Sequence, residues 1–170
     1  MAQQVDDGTL LYSVLDWIET LPVSEAIRTS VWLFPAIESI HVLAIVFVVG
    51  SIARVDLRLL GLISRDRPIT QVSAELLPWT WTSFAVALIT GLALFGAHAV
   101  RYTGIIFFDM KMVLLVLAGL NMFYFQLVTH RQVGQWDLHT VPPFSARLAG
   151  ALSLIFWAGV ITTGRFIGFV

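Results

Sequence analysis

The sequence predicts an all-α integral membrane protein: a four-helix, up-down bundle preceded by an amphipathic surface helix. Three observations predict it. Hydrophobic residues make up 58% of the 170 residues and charged residues 12%, with a mean hydropathy of +0.85. A soluble domain is about half apolar and about a quarter charged, and a disordered chain has less apolar and more charged sequence than that. Four runs of the chain approach the about 20 apolar residues that cross a bilayer core as helix. None shows the two-residue alternation of a strand, and four such helices in a soluble domain would leave almost no polar face.

Residues 1–30 form the lead-in. Leu10, Leu11, Val14, Leu15, Ile18 and Leu21 recur at helical spacing, with Asp16 and Glu19 opposite. Tyr12 and Trp17 suit a headgroup boundary, so the expectation is a short helix on the membrane surface, or on a partner subunit, ending near Pro22. A cleaved signal peptide is not expected, because Asp6 and Asp7 stand where a basic region would.

Residues 31–170 form the four-helix domain. The first span runs from about Val31 to Ala53, interrupted by Glu38 and His41. It continues through Arg54-Val-Asp-Leu-Arg58 and is expected to stop at Gly61. Pro68 then breaks the chain, and Thr70 is a candidate cap for a lead-in to the second span, from about Trp79 to Val100. The third span is Met112 to Thr129, preceded by Gly104–Phe108 and broken by Asp109 and Lys111. The fourth is the 17 residues between Arg147 and Arg165, extended by Phe166–Val170. Small residues on the second span (Ala85, Gly91, Gly96, Ala97) and the fourth (Gly150, Ala151, Ala158, Gly159) permit close packing. Four short helices enclose a modest internal area, so a homo-oligomer in the lipid bilayer is expected.

Basic residues orient the chain. Arg54, Arg58, Arg65, Arg67, Arg131 and Arg147 fall on one side; Arg28, Arg101, Lys111 and Arg165 fall on the other, several of them at or inside a helix end. The first side is therefore expected to be cytoplasmic, with both termini periplasmic in a bacterial inner membrane. Net charge is −1, so no basic field draws nucleic acid. Cysteine is absent, which excludes disulfides, thiolate metal sites, iron–sulfur clusters and covalently attached haem. No GxSxG, GxxxxGK[ST], HExxH or GxGxxG pattern occurs. His130 and His139 give a weak zinc signal and read better as loop histidines.

Ionisable residues inside a bilayer are costly and tend to face a bundle interior, a cavity or a cofactor. Glu38, His41, His98, Asp109, Lys111 and Arg165 all fall in the half expected to be outer. Glu38 and His41 have ExxH spacing and share a helix face. A second ExxH is absent, so a di-iron site is not expected, and Glu38 reads as the carboxylate that orients the imidazole. His41 and His98 are the candidate axial ligands of a haem b, although their depths differ by about 7 Å at 1.5 Å per residue. Gly91, seven residues before His98, would clear the porphyrin edge, and Arg101, Lys111 and Arg165 would meet propionates. A buried His41 hydrogen-bonded to Glu38 or to a backbone carbonyl, with His98 at the interface, is the competing structural reading. Copper is the alternative metal, but Met110, Met112 and Met122 are few for a copper relay. The functional expectation is a membrane-embedded b-type haem protein serving electron transfer, with a redox partner on the outer side. The alternatives are a structural subunit of a larger complex, or a copper or small-solute transport component.

Several segments also carry a resemblance. Trp32-Leu-Phe-Pro35-Ala-Ile-Glu38-Ser-Ile-His41 with Arg54-Val-Asp56-Leu-Arg58-Leu-Leu-Gly61, Lys111 with Asn121, Trp136-Asp137, and Gly164-Arg165 resemble a domain-of-unknown-function family of bacterial four-helix inner-membrane proteins. In layout that family is similar to the copper-resistance CopD type and the HemJ type of protoporphyrinogen oxidase. The resemblance implies His41 as the main ligand, with Lys111 and Arg165 as its charged surroundings. Some members place a histidine near the position of Gln126; this chain does not, and no substrate carries over.

Overall fold

The computed structural model describes residues 2–63, 66–138 and 141–169. Arg65 and His139, used above for orientation and for the zinc signal, lie outside them. Seven α-helices follow in order: α1 (Ala2–Thr20), α2 (Pro22–Thr29), α3 (Leu33–Leu59), α4 (Ile69–Ala97), α5 (Ala99–Tyr102), α6 (Ile106–Tyr124) and α7 (Phe144–Ile167). A π-helical turn at Phe125–Thr129 and a 3₁₀ segment at His130–Gln135 follow α6. No strand occurs among the described residues. Four helices are long and apolar enough to cross a membrane: Leu33–Leu59, Ile69–Ala97, Ile106–Val128 and Phe144–Ile167. The expected bundle is therefore present, in a multi-pass membrane protein.

The helices exceed their apolar runs. At 1.5 Å per residue α3 and α4 are each about 40 Å long, enough to cross the hydrocarbon core and emerge on one side. Asp109 and Lys111 do not break the third span, since both lie inside α6. Pro78 sits within α4 and removes one backbone donor from that helix. The tail of α3 ends as its sequence requires. Gly61 takes φ 71°, Leu62 N–H donates to Leu57 O at 2.9 Å, and Gly61 N–H donates to Arg58 O at 3.0 Å. That double closure is the Schellman stop, and a residue with a Cβ would be strained at position 61.

Helix α3 packs along α4, α6 along α7, and α3 against α7. The bundle is thus two antiparallel hairpins joined through α3 and α7. Glycines permit the close approaches. A Cβ on Gly150 would stand 3.0 Å from the Asp56 carbonyl oxygen, and one on Gly159 would stand 2.9 Å from Leu114 Cδ1. Stacked rings of Phe95, Tyr102 and Phe108 tie α4, α5 and α6 together at the other corner.

The lead-in folds onto its own bundle. Leu15 and Ile27 are buried, and Glu19 Oε1 accepts the Val100 N–H at 2.9 Å. Arg28 pairs with Glu19 at 3.3 Å. Leu10, Leu11, Val14 and Trp17 remain exposed. The apolar stripe is therefore divided between the end of α4–α5 and the surroundings.

At the opposite end the two hairpin loops are knotted together. Leu59, Ile69, Trp136 and Ala146 form a buried cluster flanked by Val55, Phe125 and Val133. Arg58, 2% exposed, donates from Nε to Arg67 O and from Nη2 to Asp137 O, both at 3.1 Å. Asp137 caps α4 from across the molecule. Its Oδ1 accepts the Thr70 N–H at 2.9 Å, its Oδ2 accepts the Thr70 hydroxyl at 2.6 Å, and its carbonyl accepts the Ile69 N–H at 3.2 Å. Arg67 pairs with Glu75 outside this knot. Thr70 is thus not the cap expected from sequence; it is the capped residue.

Candidate functional site

The site is built from one register. On the α3–α4 seam Phe34 meets His98, His41 meets Thr90 and Gly91, and Ser51 meets Thr80. These pairs descend the two antiparallel helices in step. His41 points into the seam. Its Nδ1 lies 2.9 Å from Thr90 Oγ1, and a Cβ on Gly91 would stand 3.0 Å from its Cε1. Gly91 is therefore clearance for the His41 ring, where the sequence reading had it clearing a porphyrin edge.

Thr90 and the Ala87 carbonyl both face the His41 ring. The Thr90 hydroxyl lies 2.7 Å from the Val86 carbonyl and 3.2 Å from the Ala87 carbonyl. A single hydroxyl hydrogen goes to the nearer carbonyl, so the oxygen accepts and His41 donates Nδ1–H. The lone pair of His41 is then on Nε2, the form that ligates a metal.

Lys111 shares this layer. The α6–α7 register brings it against Gly164, where a Cβ would stand 3.7 Å from Nζ, and its charge acts on His41. Lys111 is only partly exposed, and no hydrogen bond or ion pair joins it to another described residue. Lys111 and the His41 imidazole thus face the same depth of the bundle.

The other expected site residues lie elsewhere. His98 is the cap of α4 at φ −144°, with its ring edge-on to Phe34 at 5.3 Å and its Nδ1 buried without a partner. By register it stands seven residues from the His41 level, about 10 Å along the helix. The two imidazoles expected to share one iron thus stand at different levels of the seam. Glu38 is exposed, and Thr90 holds the His41 nitrogen that Glu38 was expected to orient. Arg101 and Arg165 are exposed at the rim, Arg165 lying over the Phe169 ring at 4.8 Å. Burial pushes the Tyr102 phenol above its ordinary range, with Arg101 opposing and Glu38 adding to the effect. Glu38 therefore acts on the rim near Tyr102.

Sequence reasoning missed Thr90, 49 residues from His41. A threonine one position before a glycine singled out for clearance was the available signal. Among the described residues no group of three or more His, Asp or Glu gathers as a metal cluster.

A model for a family of unknown function (DUF6644) matches residues 14–170. No curated protein and no solved structure matches the chain. The family match takes in all four spanning helices, the His41–Thr90–Lys111 layer and the Arg58–Asp137 knot: the chain belongs to the DUF6644 family.

Proposed function

We propose that the chain is a membrane-embedded redox subunit carrying one haem b at the His41 layer, in the outer half of a bundle whose termini are periplasmic. The observation that carries this reading is the held imidazole: Thr90 meets Nδ1 and leaves Nε2 to act as the donor, beside Lys111, which no described carboxylate pairs. The donor set suits haem better than a bare copper ion. A porphyrin brings four nitrogens and asks the protein for one or two ligands, whereas a copper site would need several protein donors in one place. His41 would hold the iron from this chain through Nε2. Lys111 meets a propionate carboxylate, and Gly91 keeps the ring in its seam. Haem bound there supplies one-electron chemistry at iron; the chain orients the imidazole and neutralises the carboxylate. A second ligand, if present, comes from another subunit, consistent with a homo-oligomer and an outer redox partner.

The competing reading is a structural subunit of a larger complex. Sparse burial on α6, where Ala118 is the buried residue, favours it by leaving a long face for a neighbour. Absorption spectroscopy of the purified protein, reduced minus oxidised, separates the two. The haem reading expects a Soret band that is lost in His41→Ala and retained in His98→Ala. A colourless wild-type protein overturns it and leaves the structural reading.

A further inference from the structure

Asp56 takes no part in the proposed haem site. It lies in the last part of α3, on the seam with α7 that joins the two hairpins, and is 5% exposed. Ser153 of α7 faces the carboxyl, and Oδ2 is buried with no partner. The seam is tight here: a Cβ on Gly150 would stand 3.0 Å from the Asp56 carbonyl oxygen.

Among the described residues no ion pair joins the carboxyl to a cation. Arg58 is two residues on, a spacing that turns it to another face, and its guanidinium is taken by the Arg67 and Asp137 carbonyls. Arg54 is two residues before and exposed. From α7, Ser153 and Gly150 face Asp56, and both are uncharged. From α4, the register places Glu75 at this depth, where it is exposed and held by Arg67 and Gln71. From α6, Asn121 gives its amide to the Ala149 carbonyl at 2.9 Å.

We propose that Asp56 is a buried proton-binding site, holding a neutral carboxylic acid in the α3–α7 seam. Ser153 Oγ faces the carboxyl, and in the neutral acid the bare oxygen is a carbonyl oxygen. A bare carbonyl oxygen costs far less than a carboxylate oxygen buried without a partner. Loss of the proton would leave a charge between the hairpins, so proton release and separation of α3 from α7 are coupled. The site is independent of the haem reading, because nothing in it involves His41 or Lys111.

Infrared difference spectroscopy of the whole chain in lipid, in water and in deuterium oxide at neutral pH, tests this. A carboxylic acid C=O stretch is expected, shifted by carbon-13 labelling of aspartate and shifted again in Ser153→Ala. It should disappear in Asp56→Asn. If that variant does not fold, the labelled wild type and Ser153→Ala still decide. Absence of any carboxylic acid band, a band insensitive to aspartate labelling, one unmoved by Ser153→Ala, or one that survives in Asp56→Asn overturns the proposal.

Discussion

The two ends of the bundle are built on opposite terms. At the Asp137 end the charged groups of the loop network are paired: Arg58 serves two carbonyls and Asp137 receives three donors from α4, while Trp136 Nε1 and Asp56 Oδ2 beside them are buried without a partner. At the His41 end Lys111 has no partner among the described residues, and Glu38 is exposed. Saturated polar networks hold a fold in one arrangement, whereas unspent charges and lone pairs are what a ligand can use. Stability is lodged at one end and binding capacity at the other.

Substitutions should separate the ends in order of effect on stability. Arg58→Ala is expected to cost most, about 3 kcal/mol, because it strips charged donors from two carbonyls and opens a hole beside Leu59. Thermal unfolding in detergent measures it, and an unchanged midpoint would break the comparison. Gly150→Ala should cost about 1–3 kcal/mol, since a backbone oxygen at 3.0 Å cannot yield without moving α3 off α7. Asp137→Ala should cost about 1–2 kcal/mol through loss of the α4 cap, with Asp137→Asn recovering part of it. Thr90→Val should cost under about 1 kcal/mol, yet it removes the partner of His41 Nδ1, so haem content should fall more than stability does. If Thr90→Val loses stability as Arg58→Ala does, the His41 end is structural after all.

Legibility in the sequence followed the range of the interaction. Hydropathy alone located four spans, and the Gly61 stop was readable because its bonds close within six residues. His41 was singled out because a histidine in an apolar helix is costly wherever its partner lies. Its partner was misassigned to Glu38 because i,i+3 neighbours are the ones a one-dimensional reading can pair. Thr90 becomes visible only through the α3–α4 register, which no local pattern specifies. The same limit hides the role of Arg58, whose partner Asp137 lies 79 residues away. His98 was paired with His41 on type and approximate depth; the register, in which Phe34 opposes His98, separates them by two turns.

The most direct test of this division compares His41→Ala and Arg58→Lys in one experiment, reading haem per chain and the unfolding midpoint together. The account predicts that His41→Ala loses its haem and keeps the midpoint of the haem-free wild-type protein. It predicts that Arg58→Lys, which cannot reach two carbonyls at once, lowers the midpoint and keeps its haem. Haem retained in His41→Ala, or a wild-type protein that never binds haem, would contradict it.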